Sequence, residues 1–434
     1  MSATKPFTSF QSAADFLFEQ VPKNSSDVGV GPRGFDKSQR WLAALGDVQN
    51  ACKPLHIAAT SGKGTVAAML EAILRAHGFT TVTLTSPHVY SVTERVRING
   101  EPISEKDFVA YLNKLLPAYD EFTAAGDPPS YFEVNIAIGF LAAAELNVDY
   151  TVVETGLGGL LDTTNTIERQ DKIAIVGQIG FDHTAILGNS LSEIAAQKAG
   201  IIHYRQQVVA LEQEPEVNAV IANAASAQRA NVSWATGSEA RHYIGELSAL
   251  NTSLSGVHQY DNAALALAAA RIAAARDGWK LSANKVKTAW QQLSIPGRFE
   301  IVHSGELTVV LDGAHNPQKL RATMDAMAQQ FPGTHYGAVF ASGQSKATDE
   351  LLAMLQAGGR RPLILTEYHS RELDMYRPAV DFANYASLPS GAQHLSDPKS
   401  VVRAMRQSAT DVWLVTGSFY LLSDIRQALE AEAT

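Results

Sequence analysis

The sequence predicts an α/β protein built on a doubly wound, mostly parallel sheet and followed by a smaller α/β domain. Short apolar runs of strand length alternate with longer segments whose apolar residues recur at helical spacing. Small and polar turn residues follow several of these runs directly. At 434 residues, the chain also exceeds what one hydrophobic core usually serves. We therefore expect two α/β domains.

The first 50 residues are predicted to form two helices, Ser9–Gln20 and Lys37–Leu45. A Gly- and Pro-containing stretch from Pro22 to Gly34 separates them. We expect this stretch to form a loop over a site.

A phosphate-binding loop (P-loop) is predicted where the apolar run Leu55–Ala59 ends in Thr60-Ser61-Gly62-Lys63-Gly64-Thr65. Apolar residues at the spacing of one helix face follow, so the order is strand, tight loop, helix. The glycines let the backbone wrap a phosphate, and the helix start offers unpaired N–H groups. Lys63 adds a charge, and the Thr65 hydroxyl can ligate magnesium. The alternative is an ordinary Gly-rich turn with a solvent-facing lysine.

Further predicted strands and helices alternate along the first domain. In order, they are strands Thr80–Thr85 and Glu94–Ile98, helices Ser104–Tyr119 and Tyr131–Leu146, strands Tyr150–Val153 and Ile173–Ile179, helix Leu191–Ala199, strand Gln207–Leu211 and helix Pro215–Gln228. Ser86, Glu154 and His183 come after three of these strands, at the sheet edge where such folds bind ligands. Magnesium prefers oxygen ligands, and Glu154 and Ser86 supply oxygen atoms. His183 is a less typical magnesium ligand. Singly, each residue also fits a structural role in a cap, a turn or a loop.

The best candidate for a domain boundary is Ile295-Pro296-Gly297-Arg298, because Pro-Gly interrupts both helices and strands. Before it we expect a small antiparallel piece at Arg241–Ser255 and helices at His258–Arg276 and Asn284–Gln292. The predicted domains are residues 1–295 and 296–434, the second being Rossmann-like. Its predicted elements are strand Thr308–Leu311, helix Gln318–Gln330, strand Tyr336–Phe340, helix Thr348–Leu355, strand Pro362–Leu365, helices Tyr376–Ala386 and Lys399–Gln407, strand Val412–Val415 and a helix from Leu421.

Composition limits the function classes. The chain is 46% hydrophobic and 18% charged, as ordinary globular proteins are. A formal net charge of −9 argues against general affinity for nucleic acid or anionic membranes. The single cysteine, Cys52, fits a reducing compartment, and no apolar segment has the pattern of a signal peptide or a membrane span. We expect a cytoplasmic monomer that acts on small molecules.

The ordered set of motifs resembles the folylpolyglutamate synthase/dihydrofolate synthase family of the Mur ligase superfamily. The matching stretches are His56–Thr65, Ser86-Pro87-His88, Glu94–Gly100, Glu154–Asn165, Asp182-His183-Thr184, Lys198–Ile201, His258-Gln259 with Asn262, Pro296-Gly297-Arg298, Asp312–Pro317 and Gly417-Ser418. They cover nearly the whole chain in the family's order. The resemblance implies an ATP-dependent ligase that converts a carboxylate to an acyl phosphate and joins it to glutamate.

By the same resemblance, two magnesium ions and ATP are the expected ligands. The resemblance implies that Thr65, Ser86, Glu154, His183 and Lys198 hold metal, and that Ser61, Gly62, Lys63, Gly64, Thr65, Asn262, Arg298, Asp312 and His315 bind the nucleotide. Lys63, Lys198, Asp312 and His315 are the expected catalytic residues. Domain closure would bring Asp312 and His315 over the ATP.

Lys198 is implied to be carbamylated, its carboxylate helping to hold the second magnesium; the alternative is a cation that favours a helix C-terminus. Ala59, Ser61, Leu160 and Gln197 depart from the family's usual glycine, asparagine, arginine and glutamate. These departures leave two alternatives open. One is a ligase for another acid or amine, and the other is a nucleotide-binding regulatory protein.

Overall fold

The computed structural model describes residues 4–23, 31–251, 254, 256–343, 348–357, 362–368, 379–382 and 388–432. The chain divides into two compact units. The first comprises Met1–Glu246 and Gln259–Leu293, and the second Leu247–His258 and Ser294–Thr434. Each is an α/β unit with its own sheet, so the predicted fold class is confirmed.

Within the described residues, the first unit has a sheet of eight strands in the order β4-β3-β2-β5-β1-β6-β7-β8. The strands are β1 Lys53–Ala58, β2 Thr81–Leu84, β3 Val96–Ile98, β4 Glu101–Pro102, β5 Tyr150–Glu154, β6 Ile173–Val176, β7 Gln207–Leu211 and β8 Asn231–Ala235. Neighbours pair in parallel from β2 through β8, whereas β3 and β4 are antiparallel. The central strand β1 is almost wholly buried, because parallel sheets are covered on both faces.

Helices cover both faces of this sheet. Those described in the first unit are Phe10–Glu19, Pro32–Ala44, Lys63–Ala76, Glu105–Ala124, Tyr131–Leu146, Thr184–Leu187, Leu191–Ala199, Pro215–Ala227, Gly237–Ile244, most of His258–Asp277, and Ala283–Gln291. Two apolar cores lie on the face of the sheet that carries His56 and Ala58, one with residues of Glu105–Ala124 and Tyr131–Leu146 and the other with residues of Leu191–Ala199 and Pro215–Ala227.

The second unit has a sheet in the order β13-β12-β11-β14-β10-β9. Its strands are β9 Glu300–Ser304, β10 Leu307–Asp312, β11 Gly337–Phe340, β12 Leu363–Leu365, β13 Ala392–His394 and β14 Val412–Thr416. Only the pair of β9 and β10 is antiparallel among the strand pairs described there. The described helices are Leu247–Leu250, Pro317–Gln330, Thr348–Ala357, Pro398–Arg406 and Phe419–Ala431. None of the helices in the described part of either unit is long and apolar enough to span a bilayer.

Several sequence predictions need correction. The segment predicted as antiparallel is helical, at Gly237–Ile244 and Leu247–Leu250, and Thr236 caps the first helix by accepting from the Glu239 N–H. Ser91 and Glu94 form a capping box, so a 3₁₀ turn occupies Val92–Arg95 and strand β3 starts late. The second helix starts early, at Pro32, where proline fits the first helical turn. Most of the predicted helix Tyr376–Ala386 lies outside the described residues.

Candidate active site

The predicted phosphate loop joins β1 to the helix Lys63–Ala76. Gly62 has φ +84°, in the left-handed region that favours glycine. A Cβ there would lie 2.2 Å from Asn262 Oδ1, so the loop and the Asn262 side chain approach each other closely. Gly62 is the N-cap of this helix and has no side chain that could cap it, so the first N–H groups of the helix can bind an anion. The loop therefore has the geometry of a phosphate cradle, with the predicted nucleotide residue Asn262 against it.

Two lysines converge on one backbone carbonyl beside this loop. Lys63 Nζ and Lys198 Nζ each donate to Ala59 O at 3.0 Å. Lys198 is only 4% exposed, at the end of the helix Leu191–Ala199. Burial and the neighbouring Lys63 charge lower the pKa of Lys198 to about 7, although Asp182 and Asp162 oppose the shift. A substantial fraction of Lys198 is therefore the neutral amine at physiological pH.

Glu154 brings a buried carboxylate to the same loop. It is the last residue of β5, and its Oε2 accepts the Ser86 N–H at 3.1 Å. A Cβ on Gly64 would lie 3.5 Å from that oxygen, and the neighbouring Thr65 is buried. Of the predicted metal residues, Glu154 and Ser86 thus lie beside Gly64, the residue that precedes Thr65.

His183 is placed differently from the prediction, since β6 ends at Val176 and a further segment of chain precedes the histidine. It has φ +49° and precedes the short helix Thr184–Leu187. Its ring Nε2 lies 3.8 Å from Asp182 Oδ1, and the side chain is 43% exposed. The histidine is therefore delivered by a loop, which is itself anchored to the sheet.

The donor set fits a magnesium ion shared with phosphates. Among the described residues, no three His, Cys, Asp or Glu side chains form a group that could cage a metal. Magnesium usually uses one or two protein carboxylates together with phosphates and water. Glu154, the Ser86 and Thr65 hydroxyls and a neighbouring phosphate cradle match that requirement.

The glycine-rich turn after β5 packs on the end of the Lys198 helix. Gly159 approaches it so closely that a Cβ would lie 2.8 Å from the Gln197 carbonyl oxygen. Leu160 N–H donates to this carbonyl at 2.7 Å, and Asn165 donates to the Leu160 and Gly200 carbonyls. Leu160 and Gln197, two of the departures from the family pattern, are therefore direct neighbours.

Buried side chains that the sequence analysis did not single out hold this turn. Asp162 Oδ2 accepts the Leu157 N–H at 2.8 Å, and its Oδ1 accepts from the Thr164 N–H and hydroxyl. Burial raises the pKa of Asp162, although these hydrogen bonds oppose the rise. Thr164 Oγ1 also lies 2.8 Å from His56 Nε2 on β1. The available signal was an aspartate three residues after the last glycine of the turn and directly before Thr163-Thr164, the place of a cap.

In the second unit, Asp312 ends β10 and organises the turn that follows. Its Oδ1 accepts from the Ala314 N–H at 3.0 Å and from the Thr323 hydroxyl at 2.8 Å. Its Oδ2 accepts the Phe299 N–H at 2.9 Å, next to Arg298. Asp312 thus fixes the turn that follows β10, at the carboxyl edge of the second sheet.

His315 and Arg298 both lie against Phe419. The Arg298 guanidinium is 4.6 Å from the Phe419 ring centroid, and the His315 ring centroid is 6.3 Å away. His315 Nδ1 donates to the Gly313 carbonyl at 2.8 Å, which leaves Nε2 to accept from Lys319 at 3.1 Å. The second unit therefore groups the three residues predicted for it around one edge.

Comparison with known proteins gives matches over the whole chain. Residues 297–419 match the family model described as Mur ligase, glutamate ligase domain. The chain is 32% identical to the dihydrofolate synthase/folylpolyglutamate synthase of Bacillus subtilis, over 98% of this chain and 100% of that one. A folylpolyglutamate synthase structure from Mycobacterium tuberculosis with ADP aligns at a TM-score of 0.80 and 26% identity, covering 98% and 99% of the two chains. The bifunctional enzyme from Yersinia pestis with AMPPNP and a Mn ion aligns at 0.79 and 26%, covering 99% and 100%.

Proposed function

Because the chain belongs to the dihydrofolate synthase/folylpolyglutamate synthase family, we propose that the residues grouped at its two sheet edges carry out glutamate ligation. The protein is an ATP-dependent ligase that joins glutamate to folate or dihydropteroate. ATP and a divalent metal are its cofactors. The roles of individual residues below are our proposals.

The reaction requires a poor electrophile to be activated. A carboxylate oxygen of the acid substrate attacks the γ-phosphorus of ATP, and the bond to ADP breaks. The glutamate amino group then attacks the acyl carbon, loses a proton, and inorganic phosphate leaves. Both reactants of the first step are anions, so preorganised positive charge is the main contribution that the protein can make.

Lys63 and the N–H groups at the start of its helix bind the ATP phosphates and offset their charge. Glu154, Ser86, Thr65 and His183 would hold magnesium, which neutralises phosphate charge when bound. Ser61, Gly62, Gly64 and Asn262 shape the cradle. In the second unit, Arg298, Asp312 and His315 would contact the nucleotide, and that unit matches the glutamate ligase domain.

The observation that carries this assignment is the buried Glu154 carboxylate beside the phosphate loop. Glu154→Gln keeps the side-chain shape and removes its charge, so ligation should fall at least about 100-fold, as loss of a first metal ligand would cause. The rate of glutamate adduct formation, followed by mass against magnesium concentration, measures this. Glu145→Gln, at an exposed ion pair with Lys114, is the control that should stay near wild type. A Glu154→Gln variant with normal rate and metal dependence would remove Glu154 from the metal site.

We also propose that Lys198 is carbamylated. It is buried beside Lys63, with both ammonium groups on the Ala59 carbonyl, where exchanging one positive charge for a negative one relieves repulsion. The pKa of about 7 keeps part of Lys198 as the amine that attacks carbon dioxide. A C–N bond forms, the nitrogen loses a proton, and the resulting carboxylate offers oxygen ligands for a second magnesium.

A ¹³C NMR spectrum of protein equilibrated with ¹³C-bicarbonate should show one carbamate resonance that disappears in Lys198→Ala. Lys172→Met is the matched control and should keep the carbamate resonance, since Lys172 is a buried lysine whose pKa is also about 7 but is not the proposed carbamate. Lys198→Ala should lose ligation, and an added short carboxylate should restore part of it. Full activity of Lys198→Ala would refute the carbamate's role.

We infer further that the protein works as a cytoplasmic monomer on small molecules alone. The net charge of −9 argues against nucleic-acid and anionic membrane partners, and the single cysteine fits a reducing compartment. Sedimentation of the purified chain at working concentration tests the monomer, and a mass near twice 46.6 kDa would contradict it.

A further inference from the structure

We propose that Gln213 is a positioning residue for the segment that carries Asp182 and His183, acting through the backbone of residues 177–180. The inference rests on the proposed function, because it concerns the same magnesium–nucleotide site. Gln213 follows β7, in the loop before the helix Pro215–Ala227.

Strand β6 loses its regular partners at the point where the segment begins. Its last residue, Val176, pairs with Ala58 on one side and with Ala210 on the other. Beyond that residue, residues 177–182 leave the regular sheet before the chain reaches His183. Its direction therefore depends on the hydrogen bonds made by residues 177–180.

On the β1 side, the phosphate loop continues the ladder. Gly177 N–H donates to the Ala58 carbonyl at 2.9 Å, and Thr60 N–H donates to the Gln178 carbonyl at 2.8 Å. The Thr60 hydroxyl then donates to the Gly180 carbonyl and accepts the Gly180 N–H, both at 3.0 Å. The segment is thus fixed in register with the phosphate loop.

On the other side, β7 ends at Leu211, and the Gln213 side chain makes the hydrogen bonds to the segment that a longer strand would have made. Gln213 Oε1 accepts the Ile179 N–H at 2.7 Å, and Nε2 donates to the Gly177 carbonyl at 3.0 Å. Asn218 in turn bonds the Gln213 N–H and carbonyl, at 3.0 and 2.9 Å. A side-chain amide offers a donor and an acceptor together, as a peptide group does.

The segment is therefore held by Gln213 up to Ile179 and by Thr60 up to Gly180, just before Asp182 and His183. His183 lies three residues beyond Gly180, so the path of this backbone limits where the histidine can lie. Loss of the Gln213 amide should leave two backbone groups without partners and let this path vary. The phosphate loop keeps its own bonds, so nucleotide binding without metal should persist.

The test measures Mn²⁺ binding by electron paramagnetic resonance in the presence of AMPPNP. Gln213→Ala should weaken Mn²⁺ binding about tenfold, which is the usual effect of losing a residue that orients a metal ligand without touching the metal. Amide hydrogen exchange at residues 177–180 should accelerate, while ADP affinity without metal stays unchanged. Gln213→Glu keeps the shape and the acceptor but loses the donor, so its effect should be intermediate. Gln228→Ala, at an exposed glutamine of the same unit, is the control.

Unchanged Mn²⁺ affinity and unchanged exchange in Gln213→Ala would overturn the proposal. If the alanine variant does not fold, Gln213→Glu decides between the same outcomes. Failure of the proposed function has a different signature, since a wild type that binds Mn²⁺ and AMPPNP but forms no glutamate adduct would refute ligation and leave this test valid.

Discussion

Lys172 should make the stability of the first unit depend on pH above neutrality. Its side chain is fully buried, with Nζ 3.2 Å from the Ile167 carbonyl and 3.2 Å from His203 Nδ1. Burial lowers the pKa of Lys172 from 10.5 to about 7, with Glu168 opposing the shift. In the unfolded chain, the lysine holds its proton up to its ordinary pKa.

Between pH 7 and 10.5, the unfolded state therefore binds more protons than the folded state at this site. The free energy of unfolding rises with pH wherever that holds, by at most about 1.4 kcal/mol per pH unit. With half of the folded lysine still protonated at pH 7, the gain from pH 7 to 9 is about 2 kcal/mol. Burial and Lys172 lower the pKa of His203 to about 4, so that residue contributes only at lower pH.

Urea unfolding of wild type and Lys172→Met at pH 7, 8 and 9 isolates this contribution. The stability difference between the two proteins should shift by about 2 kcal/mol in favour of wild type as pH rises. Lys280→Met, at an exposed lysine, should show no such shift. A difference between wild type and Lys172→Met that stays constant from pH 7 to 9 would refute the reasoning.

Two further predictions use pairs of matched variants. Lys37→Met leaves Glu133 buried without its partner at 3.0 Å and should cost about 3–5 kcal/mol of unfolding free energy in urea. Lys114→Met, at an exposed ion pair, should cost less than about 1 kcal/mol, and equal costs would contradict the argument. Gly62→Ala places a Cβ 2.2 Å from Asn262 Oδ1 and should abolish ATP binding in a calorimetric titration. Gly78→Ala, with similar φ and open space, should pay only about 1–2 kcal/mol of backbone strain and bind ATP normally.

Much of the fold followed from periodicity and turn residues. The helix Leu191–Ala199 and the strand Gln207–Leu211 lie where the sequence predicts them, because Gly200 ends the helix and an apolar run of strand length marks Val208–Leu211. Strands β4, β8, β9 and β13 were missed. All four lie at sheet edges, where a strand has only one neighbour, and few of their residues are buried.

The residues of the candidate site likewise include some that the sequence predicts and some that it does not. The loop Thr60–Thr65 and Glu154 could be predicted because local sequence determines a strand end and a tight turn. Gln213 could not, because a lone glutamine in a loop carries no pattern, and its role arises only when β6 and β7 lie side by side. The predicted strand Ile173–Ile179 runs past the observed end of β6 for a related reason. Thr60 and Gln213 supply its last hydrogen bonds from outside the regular ladder.

The shared carbonyl of Ala59 has a practical consequence for anyone who handles this protein. Under the carbamylation proposal, a proton and dissolved carbon dioxide compete for one nitrogen, and the outcome depends on how a buffer was degassed, aged and titrated. Two preparations with the same sequence, purity and fold can then differ in specific activity. Comparisons between laboratories need a stated bicarbonate concentration, just as they need a stated magnesium concentration.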